Sequence, residues 1–254
     1  MKTLFVSWQD PLRRRWYPVG RLTYEAHVYR FVYTAGAKEA ENFSPFFGMR
    51  QLDGIYESET LFPIFANRLL SEARPEYSKL IEWLSLDAKE IDPFIILSLT
   101  GGIRKTDSLE IFPCPAPNSN NDYELRFFSR GLSHEPEATQ QRVNLLSQGE
   151  KLFLMKDLQN KYDVHALVLR TDDPVTIVGY CPRYLAQDLN YLLEKNGSEN
   201  LEFTVDKVNP DAPMQLRLLC KVSSPWPEGF SACASDLYHP LPARYANKES
   251  CALP

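Results

Sequence analysis

The sequence has no long hydrophobic run. Nowhere in its 254 residues do about 18 apolar residues follow one another, so no membrane-spanning helix is expected. The opening stretch, Met1 to Asp10, carries one lysine and a short mixed segment instead of the apolar core of a secretory signal. A soluble, cytoplasmic protein is the expectation. Paired cysteines are missing too. Cys114, Cys181, Cys220, Cys233 and Cys251 are odd in number and scattered, with no CxxC, so reduced thiols are expected in place of a disulfide framework or zinc site. Histidine is scarce. His27, His134, His165 and His239 never fall at i, i+3 or i, i+4 spacing, which excludes a helical metal pair. No metal and no cofactor is expected.

A basic excess is also lacking. The chain has 28 Lys+Arg against 33 Asp+Glu, a net charge of −5. Residues 114–254 hold 14 Lys+Arg and 18 Asp+Glu, so that half is at −4. Such a balance excludes a general electrostatic coat on duplex DNA. Any nucleic-acid contact must be local and geometric. Nor is there a Walker loop, a Rossmann fingerprint or a G-x-S-x-G elbow. Gly101-Gly-Ile-Arg-Lys105 follows a helix-like segment, not a strand, and reads as a helix cap. His165 reads as a strand residue, not a general base. Carboxylates are plentiful but form no local pair. A non-catalytic protein is the expectation.

What is present suits packed cores. The hydrophobic fraction is 44% and the aromatic fraction 12%. One composition break stands out: Pro113 to Asp122 holds three prolines, then small polar residues, which neither a helix nor a central strand tolerates. Domains are expected over residues 1–113 and 123–225, with an irregular tail over 226–254.

In the first half, Thr3 to Trp8 reads as a strand and Gln9 to Leu12 as a turn. Residues 26–34 alternate, with His27, Tyr29, Phe31 and Tyr33 on one face. Leu61, Phe62, Ile64, Phe65, Leu69 and Leu70 fit the apolar stripe of a helix over Ser58–Leu70. A second helix is expected over Pro75–Leu84. A third begins at Asp92, capped by its carboxylate, with Pro93 in the first turn and Gly101-Gly102 at its end. A strand follows over Ser108–Phe112.

The second half is richer in strands. Candidates are Tyr123–Leu132, Lys151–Met155, Val164–Arg170, Val175–Tyr180, Leu201–Val208 and Met214–Val222. Helices are expected near Pro136–Leu146 and over Pro182–Leu193, the latter with Tyr184, Leu185, Leu189, Leu192 and Leu193 as its apolar stripe. The expected class is α+β: a small N-terminal sheet with helices, then a C-terminal barrel or sandwich of short strands.

Two motifs carry a resemblance. Asp157-Leu-Gln-Asn-Lys-Tyr-Asp-Val-His-Ala-Leu-Val-Leu-Arg170 is followed by Ile177-Val-Gly-Tyr-Cys-Pro-Arg-Tyr-Leu-Ala186. In order and spacing they resemble the HIRAN signature. The resemblance implies an OB-like β-barrel and, by the family's behaviour, a pocket for the 3′-hydroxyl end of single-stranded DNA. It places Asn160, Tyr162, Asp163 and Tyr180 in that pocket, with Arg183 at the helix entry. The family adds an arginine-aromatic pair on the first strand. This chain has Gly131-Leu-Ser-His134 there, so Arg130 is the nearest substitute, with His134 beside it. A tyrosine ring can stack any base, and an aspartate accepts a bond from a free hydroxyl while repelling phosphate. The same Asp163 can instead close its turn by bonding backbone N–H groups.

Residues 1–113 resemble the N-terminal subdomain of HipA-type persistence kinases, through Val19-Gly-Arg-Leu-Thr23, Phe31–Thr34, Tyr56 to Leu70, Asp92-Pro-Phe94 and Thr100-Gly-Gly102. Ser71 stands where that family has proline. No kinase catalytic domain is expected in these 254 residues, so the resemblance implies docking to a partner and no kinase activity. Arg13, Arg14, Arg15 and Trp16 suit phosphate clamping, an acidic protein surface, or simply a solvated turn. The reading is a non-enzymatic accessory protein, of a toxin-antitoxin or defence type, binding single-stranded DNA or a 3′ end and a partner protein. The alternative is an antitoxin-like subunit that regulates a HipA-like kinase, helicase or nuclease without touching DNA.

Overall fold

The computed structural model describes residues 2–104, 106–161 and 163–242. Tyr162, expected in the pocket, and Cys251 lie outside the described residues. In chain order the first elements are β1 (Lys2–Gln9), β2 (Trp16–Glu25), β3 (Val28–Tyr33), α1 (Ala35–Glu39), β4 (Ile55–Ser58), α2 (Pro63–Ala66), α3 (Tyr77–Trp83), α4 (Pro93–Thr100) and β5 (Leu109–Pro113). Then come β6 (Asp122–Phe128), α5 (Glu137–Asn144), β7 (Lys151–Lys156), β8 (Leu167–Arg170), β9 (Ile177–Tyr180), α6 (Arg183–Asn196), β10 (Glu202–Val208) and β11 (Leu218–Pro225). The class is α+β. Among the described residues, no helix is long and apolar enough to cross a membrane.

The chain divides into two compact units. Among the described residues, the first takes those up to 74, those between 90 and 114, and 233–242; the second takes 75–89 and those between 115 and 232.

The first unit is built on an antiparallel sheet in the order β4-β3-β2-β1-β5. Its core gathers Phe31, Tyr33, Phe46 and Phe65, with rings 5.0 to 5.7 Å from the Phe31 ring. The strand expected from residue 26 starts later, at Val28. Ala26 and His27 both have positive φ, 49° and 65°, and form the two-residue turn that joins β2 to β3. Such a turn matches the twist of the flanking strands even without glycine. His27 therefore leaves the face shared by Tyr29, Phe31 and Tyr33. The helix expected over Ser58–Leu70 shrinks to the single turn α2. Ser58 ends β4, and its hydroxyl accepts from Thr60 N at 3.1 Å, which opens a turn instead. Leu61, Phe62, Ile64 and Leu69 still pack on the core, so their apolar pattern reports burial without helical continuity. The α4 signals hold: Asp92 accepts from Phe94 N at 2.8 Å, and Gly101 adopts φ 71° past the last turn.

The second unit is a six-stranded sheet in the order β6-β11-β10-β7-β8-β9. Its two edges meet. Just past β6, Arg130 exchanges both backbone bonds with Tyr180 of β9, at 2.9 and 2.8 Å. That bridge curls the sheet into a barrel of the OB-like kind, which leaves neither strand end as a bare edge. Phe127, Leu152, Leu167, Leu169, Val178, Phe203, Val205 and Val222 fill the interior with Leu185, Leu189 and Leu192 of α6. Cys181 and Cys220 are buried in the same core, and burial pushes both thiols up. The strand expected from Tyr123 ends at Phe128, because Gly131 at φ 83° turns the chain into a 3-10 helix over Leu132–His134. The strand expected from Val164 begins only at Leu167. Residues 163–166 close a turn, so His165 stands in that turn and not on a strand. Met214–Leu216 is a 3-10 helix that precedes β11.

The helix expected over Pro75–Leu84 forms as α3 and packs in this second unit. Lys207 Nζ donates to Glu82 O at 2.5 Å, Asn209 Nδ2 to Trp83 O at 2.9 Å, and Arg126 Nη1 to Ser85 O at 3.0 Å. Trp83 Nε1 donates to Asp211 at 3.0 Å. Leu84 is fully buried.

Candidate nucleic-acid interface

The turn between β7 and β8 is built from its own side chains. Asp157 Oδ1 accepts from Gln159 N at 3.2 Å, and Asp157 O accepts from Asn160 N at 3.2 Å. Asn160 Oδ1 accepts from Asp163 N at 2.9 Å, while its Nδ2 donates to Asp157 Oδ2 at 3.2 Å. Asp163 Oδ1 then accepts from His165 N at 3.0 Å, and Asp157 N donates to Ala166 O at 3.0 Å. Asn and Asp recur because their short side chains mimic the backbone bonds of a turn.

Two flanking elements lock onto this turn. From β9, the Tyr180 hydroxyl donates to Asp157 Oδ2 at 3.0 Å. Tyr180 is the register partner of Val168, so its side chain crosses β8 to reach Asp157 beyond the end of β7. Burial first, and then the Asp157 carboxylate, hold the phenol above its ordinary range. The group therefore stays a donor throughout neutral pH. From the first turn of α6, Arg183 Nε donates to Asp163 Oδ2 at 2.9 Å.

Glycine makes this approach possible at two places. Gly179 has φ 108°, and a Cβ there would lie 2.1 Å from Ser129 Oγ and 2.6 Å from Arg130 O. Only glycine lets β9 come so close to the segment after β6. Gly131 presents its backbone to the Tyr180 ring, and a Cβ on Gly131 would lie 3.3 Å from the ring edge.

Asn160, Asp163, Tyr180 and Arg183 are thus brought together through one chain of hydrogen bonds. Arg130 joins them through its backbone bridge to Tyr180. His134 stands farther along, exposed, at the end of the 3-10 helix. Asp157 is a residue that sequence reasoning did not single out for the site. Its signal was local: an aspartate three residues before Asn160 is the opening of an Asx turn.

The arginine cluster belongs to the first unit. Asp10 shapes its turn by accepting from Leu12 N at 2.8 Å, Arg13 N at 3.2 Å and Asn42 Nδ2 at 2.9 Å. Arg13 pairs with Glu41 at 2.8 Å. The Arg15 guanidinium lies 5.2 Å from the Tyr17 ring centroid. Trp16 opens β2 opposite Gln9. Among the described residues, no three His, Cys, Asp or Glu side chains converge as a metal site requires.

A barrel closed by one backbone bridge, carrying a tyrosine, an aspartate and an arginine on adjoining loop, strand and helix ends, defines a small binding module. Residues 123–227 match the family model described as HIRAN domain, and they form such a domain. Two solved structures are similar. One is a protein from Lactobacillus plantarum, 18% identical, with 41% of this chain and 98% of that one covered and a TM-score of 0.31. The other is the HIRAN domain of human HLTF, 17% identical, with 42% of this chain and 81% of that one covered and a TM-score of 0.31. The assignment rests on the family match. No curated protein matches the chain. The likeness of residues 1–113 to the HipA-type subdomain finds no support in these comparisons.

Proposed function

We propose that the HIRAN domain binds single-stranded DNA at a 3′-hydroxyl end, in the site around Tyr180, Asp163 and Arg183. One observation carries the reading: the Asp163 carboxylate is fixed by Arg183 and by the turn, and hydrogen bonds through Asn160 and Asp157 tie that turn to the hydroxyl of Tyr180, whose ring lies against Gly131. A carboxylate offers about four lone-pair sites, and Arg183 and His165 N take one each. The carboxylate can still accept from a terminal hydroxyl, and it repels a terminal phosphate. The Tyr180 ring supplies a face for the last base, and such stacking is worth roughly 1–3 kcal/mol. Arg183 and Arg130 supply the positive charge for the preceding phosphate. Asn160 holds the turn, and Tyr162 completes the family's motif.

Binding of short oligonucleotides ending in 3′-hydroxyl, in 3′-phosphate, or circularised tests this. The 3′-hydroxyl strand should bind tightest, and Asp163→Ala or Tyr180→Ala should remove the advantage. Equal affinity for all three substrates, untouched by either substitution, refutes the reading.

In the same proposal, the first unit docks a partner protein. Phe47 is 94% exposed and Leu12 79% exposed, and large apolar side chains of that exposure suit a protein surface. Photo-crosslinking from position 47 in the native source should capture a partner. Equal yields from a control position on β4 would remove the support.

A further inference from the structure

The outer face of β7, β8 and β9 carries side chains that the end pocket does not use. Residues paired across antiparallel strands point to the same face. One row is therefore Met155, Val168 and Tyr180; the next is Phe153, Arg170 and Ile177. Lys151 lies two residues before Phe153 and shares its face. The Arg170 guanidinium carbon sits 4.7 Å from the Phe153 ring centroid, and the Lys151 ammonium 5.6 Å from it. Arg170 Nη1 donates to Thr171 O at 2.8 Å, which holds the guanidinium in place. Met155 and Ile177 flank them, 40% and 38% exposed. Three carboxylates lie nearby: Asp172 is 3.8 Å from Arg170 and largely exposed, Glu194 is 3.8 Å from Lys156, and the exposed Glu202 neighbours Phe153 in the register of β10 with β7.

We infer that Phe153, Arg170 and Lys151 form a second contact for the same DNA strand, upstream of its 3′ end. The inference rests on the end-binding reading. Two strand spacings across and two residues along put Phe153 about 12 Å from Tyr180, within the reach of a few nucleotides. OB folds track about 4–16 nucleotides, so a strand seated at Tyr180 must leave across some neighbouring surface. This face begins at Tyr180 itself. A guanidinium backed by an aromatic ring stacks a base without reading its identity, and an adjacent lysine meets the phosphate. In a chain at −5, Lys151 and Arg170 supply two cations on one face, and the Asp172 side chain that meets Arg170 is 76% exposed.

The test uses the full chain with two 3′-hydroxyl probes, a dinucleotide and an oligonucleotide of about ten residues. Wild type should bind the longer probe more tightly. Arg170→Ala and Phe153→Ala should weaken the longer probe about tenfold and leave the dinucleotide within about twofold. Lys151→Ala should lower the salt dependence for the longer probe by about 0.7 in log-log slope. Arg170→Lys, which keeps the charge and the fold but loses the plane, should fall between. Equal wild-type affinity for both probes, or Arg170 variants that change both alike or neither, overturns the inference while leaving the end pocket standing. If Asp163→Ala and Tyr180→Ala leave both probes unaffected, the end pocket fails, and this continuation of it fails too.

Discussion

Arg183 Nε donates to Asp163 Oδ2 at 2.9 Å while the other oxygen of the same carboxylate accepts from His165 N at 3.0 Å. The two roles open to Asp163 are therefore not exclusive. One oxygen closes the turn; the other faces the arginine at the helix entry. The pair is partly buried, with side-chain exposures of 34% for Arg183 and 16% for Asp163. Its stabilisation is accordingly modest, about 1 kcal/mol, and its larger effect is to aim both groups.

Asp163→Asn separates charge from shape. Asparagine keeps an oxygen for His165 N but removes the negative charge. In the proposed site, affinity for a 3′-hydroxyl strand should fall and affinity for a 3′-phosphate strand should rise, so the preference between them narrows. Fluorescence anisotropy with both ends, at one stated salt concentration, measures this. A preference unchanged by the substitution would mean that Asp163 only closes its turn.

Gly179→Ala should be among the most damaging changes in the second unit. The new methyl meets Ser129 Oγ and Arg130 O, and φ 108° is unfavourable for alanine. The Arg130–Tyr180 bridge has to open, at a cost of about 2 kcal/mol or more. Chemical denaturation should show the loss. Because Tyr180 moves with its strand, DNA affinity should fall as well, even where the protein remains folded.

Much of this architecture was legible in local chemistry. Asp92, Pro93 and Gly101 mark the two ends of α4 because capping needs only neighbours in sequence. The two HIRAN motifs place the turn, β8, β9 and α6 for the same reason. Long-range choices were not legible. Periodicity finds a helix near Pro75–Leu84, yet nothing local tells that its backbone carbonyls satisfy Arg126, Lys207 and Asn209, more than forty residues away. The Arg130–Tyr180 closure and the Tyr180–Asp157 bond are of the same kind. The turn at Ala26-His27 escaped for another reason: residues of ordinary helix and strand preference stand where asparagine or glycine is the usual signal.

Asn209→Ala tests how firmly α3 is held. Asn209 is 2% exposed, and its amide donates to Trp83 O and Leu216 O, both at 2.9 Å. Alanine leaves two carbonyls without that donor in a buried place, at a cost of roughly 1–3 kcal/mol. Urea unfolding should show a midpoint shift of that size. A shift near zero would mean that water replaces the amide and that the bonds from Lys207 to Glu82 O and from Trp83 to Asp211 suffice to hold α3.

Tyr33 links stability to alkaline pH. Its hydroxyl donates to Met49 O at 2.8 Å and accepts from Phe46 N at 2.7 Å, inside the core of the first unit. Burial pushes the phenol from its ordinary 10.0 up to about 12. The folded protein thus keeps the proton after the unfolded chain has released it. With more protons bound in the native state, stability falls as pH rises. The contribution is whole below pH 10 and is lost progressively between there and about 12. Tyr33→Phe removes that titration, so its stability should vary less with pH over this window than that of the wild type. At neutral pH the same substitution should cost about 1–3 kcal/mol, because Phe46 N–H and Met49 C=O lose their partner. Thermal melts of both proteins across the window measure the two effects separately. Parallel curves for wild type and variant would show that another group governs alkaline unfolding.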